Sequence, residues 1–142
     1  MSKDNSRRRL CPHRLLMSLV IAAMPFSVAA SDQCGQLVSD SEINDCATAV
    51  LAEVDSELEA TYRYVLSGLD EAGKEEPSVL DAKAELIEAQ RHWSVFREAD
   101  CEPIFTLNQG GSIRISAYLF CMTDHAKLRK AQLEAAYATY SK

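Results

Sequence analysis

The 142-residue chain has only three histidines and no closely spaced cysteine pair, and these shortages argue against most catalytic and metal sites. Neither His92 nor His125 has a second histidine at the helical spacing that metal binding favours. The Gly-Gly-Ser stretch ending at Ser112 lacks the G-x-S-x-G pattern of a serine hydrolase and follows no predicted strand. Without a C-x-x-C motif, a zinc ribbon or a thioredoxin-type redox pair is disfavoured. We therefore predict no catalytic residues, no metal and no cofactor.

Positive charge is also scarce. The chain has 15 Lys+Arg against 21 Asp+Glu, and residues 1–30 hold five of the basic side chains and one of the acidic ones. Residues 31–142 therefore retain 10 basic and 20 acidic side chains, a net charge of -10. Such a surface has the wrong sign for nucleic acid, although acidity by itself also serves solubility.

Long hydrophobic runs are absent except near the N-terminus. Four arginines between residues 7 and 14 precede an apolar run over residues 15–28, and small residues end at Ala30, which is typical of a secretory signal peptide. The run of 14 residues is shorter than the roughly 20 that a membrane-spanning helix requires. The residues before Cys34 do not form a lipobox. We expect a signal peptide at 1–30, cleaved near Ala30, and one periplasmic or secreted domain at 31–142 without a membrane anchor.

Apolar residues recur every three or four positions in three segments, which predicts three helices. The first should span about residues 41–72, with Ser39 and Glu42 as a capping box and Gly73 at its end. A second stripe follows Ser78, an N-cap candidate, and should stop at Pro103.

The third helix should follow Ser112 as its cap and continue through strong helix formers toward the C-terminus. The short alternation over residues 112–116 resembles a strand but is outweighed by its helical continuation. The fold class expected is all-α, a three-helix antiparallel bundle or a hairpin-type arrangement.

Four cysteines remain after signal cleavage, namely Cys34, Cys46, Cys101 and Cys121. An even number in a short exported chain indicates two disulfides. Because short connections make successive helices antiparallel, all four should lie at one end of the bundle. Pairing Cys34 with Cys46 would tie down the N-terminal segment, and pairing Cys101 with Cys121 would close a loop, but the alternative pairings stay open.

One specific order of residues runs over most of the domain. The stretch QRHWSVFREADC, from Gln90 to Cys101, is followed by GGS and then by CMTDHAKLR, which ends at Arg129. These stretches carry a Gln and a Trp, an Arg followed by an acid, a Cys four residues after the Arg, a glycine loop, a second Cys and an Arg eight residues beyond it. This pattern resembles the LprI family of lysozyme inhibitors. Ala126 departs from the pattern, since a Thr often stands there. The resemblance implies a helical, disulfide-bonded envelope protein that inhibits lysozyme.

A contact site is expected in the loop over residues 102–112, which both cysteines would constrain. The residues proposed for contact are Asn108, Gln109, Gly110, Gly111 and Ser112. The simpler interpretation is that the glycines form a turn and the serine caps the next helix.

Trp93 and Arg97 lie one helical turn apart, which favours a core aromatic with a guanidinium packed on it, or an arginine tying down loop carbonyls, over a binding hot spot. Arg129 could pair with Glu98 or Asp100.

The partner expected is a cationic lysozyme of the animal type, toward which a domain of charge -10 would be steered. An alternative function is an envelope interaction or immunity protein directed at another toxin or partner. An enzyme is expected only if a histidine, a carboxylate and Ser112 meet in one cleft.

Overall fold

A computed structural model describes residues 34–140, which form three α-helices with short connections. They are α1, Asp40–Ala72; α2, Ser78–Leu107; and α3, Arg114–Ala136. No strand occurs among the described residues, so the all-α, three-helix prediction is confirmed. Within residues 34–140, none of the helices combines the length and apolar character needed to cross a membrane. The signal peptide expected at residues 1–30 lies outside the described residues.

Helix α1 begins at the predicted capping box. The Glu42 backbone N–H donates to Ser39 Oγ at 3.3 Å, and the Ser39 backbone N–H donates to Glu42 Oε2 at 3.2 Å. These bonds satisfy two backbone donors that a helix start leaves without partners. The Ser39 hydroxyl also donates to Glu42 Oε2 at 2.7 Å, and this bond, together with the one from the Ser39 backbone N–H, holds the pKa of the Glu42 carboxyl below its ordinary value. Gly73 follows the last helical residue, as predicted, and its N–H bonds to Leu69 O at 2.9 Å.

Gly73 lies close to the first turn of α2. Its φ is -65°, which any residue adopts, but an added Cβ would lie 2.4 Å from Leu80 Cδ2. A side chain at position 73 would therefore displace the Leu80 side chain from its present position.

Both predicted boundaries of α2 were wrong. Helix α2 continues through Pro103 to Leu107, because the turn beyond the proline is held against α3 by the buried Cys101 disulfide and by the edge-to-face contact of Phe105 with Tyr118, 6.3 Å between centroids. Ser78 is the first residue of α2 and does not cap it, since its hydroxyl donates to Glu76 Oε1 at 2.8 Å.

Ser112 does not cap α3 either. That helix starts at Arg114, and the preceding residue, Ile113, has helical dihedrals and makes no side-chain capping bond. Its carbonyl accepts from the Ala117 N–H at 2.9 Å and from Ser116 Oγ at 3.1 Å, so the helix begins two residues beyond the predicted cap.

The apolar core occupies the end of the bundle opposite the cysteines. Its buried members are Val54, Leu58, Val65, Leu69, Val79, Leu86, Ala126 and Leu133. They come from the middle and C-terminal part of α1, the N-terminal half of α2 and the C-terminal half of α3. This placement shows that α2 runs antiparallel to its two neighbours.

The other end of the bundle is held by two disulfides, Cys34–Cys46 and Cys101–Cys121, with Cα–Cα distances of 5.9 and 5.8 Å. The prediction of two disulfides among these four cysteines is confirmed, and the structure settles the pairing that the sequence left open. Cys34 and Cys101 are buried, whereas Cys46 and Cys121 are partly exposed. The disulfide bonds therefore hold the chain segments together at this end of the bundle, where few large apolar side chains are buried.

Candidate functional site

The loop between α2 and α3 lies at the disulfide end and is shorter than predicted. Residues 102–107 are helical, so the loop consists of Asn108 to Ile113. Asn108 Nδ2 donates to Ile104 O at 2.7 Å, which anchors the first loop residue to the last turn of α2. The Gly111 N–H donates to Asn108 O at 2.9 Å, and residues 109–112 are exposed. The loop is a compact, hydrogen-bonded turn that presents backbone to solvent.

Neither loop glycine is required by the protein itself. No glycine of the described chain has a positive φ. A Cβ added at Gly110 would meet nothing within 4 Å, and at Gly111 the nearest atom, Asn108 O, would be 3.6 Å away. A turn alone therefore does not explain the two glycines. What they provide is an exposed backbone that another molecule can approach closely.

An apolar cleft adjoins this loop, and the sequence did not predict it. It has a volume of about 260 Å³ and lies between the N-terminal segment, α1 and α3. The residues around it are Cys34, Gly35, Leu37, Ile43, Ile113, Ser116, Ala117 and Phe120. We refer to it as the disulfide-end cleft. Ile113 belongs both to the loop and to the cleft, so the two form one continuous surface.

The Trp93, Arg97 and Arg129 motif lies inside the bundle. The Arg97 guanidinium carbon is 5.4 Å from the centroid of the Trp93 ring, and that of Arg129 is 6.0 Å from it. Arg97 is only 7% exposed, and its Nε donates to Met122 O at 2.9 Å. The Arg97 guanidinium thus packs on the partly buried Trp93 ring, and the carbonyl that Arg97 bonds belongs to α3 and not to a loop.

The remaining partners of these arginines cross between helices. Arg97 Nη1 lies 2.8 Å from Asp55 Oδ1 of α1, a contact that is ionic without the alignment of a hydrogen bond. Arg129 Nε donates to Gln90 Oε1 at 2.9 Å. The suggested pairing of Arg129 with Glu98 or Asp100 was therefore wrong, because Gln90 lies on the face of α2 that meets α3.

The histidines occupy different surroundings. His92 is exposed, and its Nε2 lies 2.7 Å from Arg91 Nη2. His125 Nε2 lies 2.9 Å from Asp100 Oδ2, and its ring makes an edge contact with Phe96 at 5.6 Å. Neither contact involves Ser112, so they do not assemble the serine, histidine and carboxylate of a hydrolase.

One cluster has the composition of a metal site. The sulfurs of Cys101 and Cys121 and a ring nitrogen of His125 lie within 4.8 Å of one another. Both sulfurs are joined in a disulfide, and only a thiolate is an effective ligand. In the oxidised protein this cluster is therefore a disulfide bond that lies beside a histidine.

Negative charge is concentrated in the first part of α1. No lysine or arginine occurs between Arg14 and Arg63, whereas residues 40–59 contain seven acidic side chains. Three of these form ion pairs within the bundle: Asp55 with Arg97, Glu57 with Lys130 and Glu59 with Arg63. Asp40, Glu42 and Asp45 are exposed near the disulfide end. The start of α1 is thus acidic on the side of the molecule that carries the loop and the cleft.

Comparisons with known proteins cover most of this chain. A sequence model described as "Lysozyme inhibitor LprI" matches residues 31–133. An uncharacterized protein of Rhizobium meliloti (strain 1021) is 30% identical over 105 residues, which cover 71% of this chain and 76% of that protein. No solved structure gives a significant match. The family match includes both disulfides, the Trp93 cluster and the loop.

Proposed function

The chain belongs to the LprI family of lysozyme inhibitors, and on this premise we propose that it is an exported, non-enzymatic protein that binds and occludes a lysozyme-type muramidase. The observation that carries the proposal is the family match over residues 31–133. We propose further that residues 1–30 are the signal peptide and that the domain from residue 31 acts in the periplasm or outside the cell.

Charge supports this choice of partner. The domain over residues 31–142 has a net charge of -10, and the start of α1 contributes acidic side chains without basic neighbours in the sequence. Lysozymes of the animal type are strongly cationic. Opposite net charges on two proteins raise the rate at which they associate, and salt reduces this effect.

The loop is the contact site that we propose, with Asn108, Gln109, Gly110, Gly111 and Ser112 as its residues. Its ends continue directly into α2 and α3, which the Cys101–Cys121 disulfide joins. A loop that is already ordered loses little conformational freedom on binding. Its exposed glycine backbone can enter a narrow substrate cleft, which would exclude the polysaccharide by steric overlap.

The test is a muramidase assay with an animal-type lysozyme and the exported, oxidised protein, together with a direct binding titration at low and near-physiological salt. We expect saturable inhibition that persists at physiological salt, with a slower association rate as salt rises. Absence of binding, or binding that modest salt abolishes, would reject lysozyme inhibition and favour the interaction or immunity function with another partner.

The loop is tested by the double substitution Gly110→Val, Gly111→Val. Because neither position has a positive φ or a crowded Cβ, the variant should fold normally while its side chains block close approach. Weaker inhibition with unchanged helicity is expected. Unchanged affinity would place the contact elsewhere on the domain.

A further inference from the structure

The disulfide-end cleft enlarges the contact surface beyond the loop. Resting on the proposed function, we propose that this cleft receives an apolar side chain of the cationic partner, one that is flanked in the partner by lysine or arginine.

The lining of the cleft selects for an apolar group. Ser116 supplies the only side-chain hydroxyl among its eight lining residues, and that hydroxyl already donates to Ile113 O at 3.1 Å. A saccharide would find few side-chain hydrogen-bonding partners there. An aliphatic or aromatic side chain would instead contact Ile43, Ala117 and Phe120 and displace water from an apolar wall.

Apolar side chains at the mouth of the cleft remain exposed in the free protein. Ile113 is 53% exposed and Leu37 is 37% exposed. Val38, the next residue after Leu37, is 98% exposed. One exposed apolar residue is ordinary in a folded protein, but Ile113 and Leu37 line the same concave site, and Val38 follows directly in the sequence. The centre of a protein interface has this character, an apolar pocket for an anchoring side chain.

Charge indicates which kind of partner fits. Ile43, which lines the cleft, is preceded by Glu42 and followed two residues later by Asp45, both exposed. Asp40 is exposed in the same first turns of α1. The nearby basic residue, Arg114, has its guanidinium 5.5 Å from the Phe105 ring. The apolar site therefore adjoins an acidic helix start, which complements a basic rim on the partner.

The Cys34–Cys46 disulfide orders one wall of the cleft. It fixes one wall of the cleft to α1, and the Leu37 N–H donates to Cys34 O at 3.2 Å within the same segment. Because that wall is ordered before the partner arrives, binding does not have to order it.

The first experiment compares apolar positions inside and outside the cleft. Ile113→Asp and Leu37→Asp place a carboxylate at the mouth, whereas Leu128→Asp places one at a position on α3 that is 63% exposed and does not line the cleft. All three variants gain the same charge. For animal-type lysozyme we expect the cleft variants to raise Kd about tenfold or more, as interface anchors do, and the control to leave it unchanged.

Folding is checked for each variant by circular dichroism and thermal unfolding. Ala117→Leu provides a second test, since it narrows the cleft without adding charge and should also weaken binding. If the cleft variants bind lysozyme as tightly as the unaltered protein while Gly110→Val, Gly111→Val does not, the cleft proposal is overturned and lysozyme inhibition stands.

A second experiment separates the cleft from lysozyme itself. The protein is titrated with a blocked Lys-Leu-Lys tripeptide, and with Glu-Leu-Glu as the control, while methyl signals of Ile43 and Ile113 are followed by NMR. Shifts with the basic peptide alone support the cleft, and they do so even if lysozyme does not bind, in which case only the proposed function fails. Equal shifts with both peptides, or none, would contradict the proposal.

Discussion

At the scale of a residue, Arg97 connects all three helices. From α2 its side chain donates to the Met122 carbonyl of α3 at 2.9 Å and lies 2.8 Å from the Asp55 carboxylate of α1. It also packs against Trp93 of its own helix, 5.4 Å from the ring centroid. Because the guanidinium is nearly buried, its charge must be compensated from inside the bundle. The family motif residues Trp93, Arg97 and Arg129 thus link the helices to one another inside the domain.

We expect Arg97→Met to lower the free energy of unfolding by about 2 kcal/mol, since it removes a charge-assisted hydrogen bond and a partly buried ion pair while retaining apolar volume. The loss is smaller than for a fully buried pair because Asp55 is 44% exposed. Urea unfolding followed by circular dichroism measures it. Arg91→Met is the matched control, since Arg91 pairs with Glu88 on the surface, and it should change the value by less than about 0.5 kcal/mol.

The capping box predicts how the pKa of Glu42 should change when Ser39 is replaced. Hydrogen bonds from Ser39 hold the pKa of Glu42 below its ordinary value of 4.5, so their stabilising effect is complete above that value and is lost as pH falls through the lowered pKa. In Ser39→Ala the side-chain bond is removed, and the Glu42 pKa should rise toward 4.5. An NMR titration of the carboxyl signal measures it. An unchanged pKa would mean that the backbone bond alone is responsible.

At the scale of an element, α2 shows how tertiary contacts can override a local signal. Pro103 has no N–H to bond to Ala99 O, and its ring crowds the preceding turn, which normally ends or kinks a helix. The helix nevertheless reaches Leu107, because the Cys101 disulfide and the packing of Phe105 hold that turn on α3. The consequence for the site is a shorter loop.

Pro103→Ala should therefore leave helix content unchanged and raise the free energy of unfolding by about 1–2 kcal/mol, since it restores a backbone hydrogen bond. Pro77→Ala is the control, for which we expect a change of opposite sign in the free energy of unfolding. Pro77 precedes α2 with a φ of -56°, which suits proline, so its loss should destabilise the protein by up to about 1 kcal/mol through the unfolded chain. Denaturant unfolding distinguishes the two signs, and a destabilised Pro103→Ala variant would show that the proline ring has a packing role.

At the scale of the whole molecule, the apolar core and the proposed contact surface lie toward opposite ends. The buried apolar cluster joins the end of α1, the start of α2 and the second half of α3. The disulfide end carries the loop, the cleft and the exposed acidic start of α1, and covalent bonds hold it together. Because disulfide bonds hold this end together, it can expose apolar and glycine-rich surface that a small apolar core could not keep ordered.

Removing one disulfide should test how much the covalent bonds contribute to stability at this end. Replacing Cys101 and Cys121 together by alanine opens a link with a sequence separation of 20 and should cost about 3 kcal/mol on a chain-entropy estimate. Chemical unfolding measures the loss. The unaltered oxidised protein should show no reactive thiol in denaturant after signal cleavage, and a titre of two or four thiols would contradict the two disulfides.

The sequence by itself determined the features that depend on near neighbours. Helical periodicity, the Ser39–Glu42 capping box and the end of α1 at Gly73 all involve residues three or four positions apart, whose separation a helix sets. Two disulfides at one end of the bundle could be anticipated from the even number of cysteines and from helix direction, but the choice among three pairings could not be settled. The family pattern identified the lysozyme inhibitor family without any coordinates.

Features that depend on how the helices rotate against one another follow from the packing of the folded chain. Among them are the contact of Arg129 with Gln90, the passage of α2 through Pro103 and the apolar cleft beside Ile113. Periodicity indicates which face of a helix is buried, but it does not indicate which neighbour that face meets or at what height. Those relations follow from simultaneous packing of three helices and two disulfides, and they place the loop, the cleft and the acidic start of α1 on one surface.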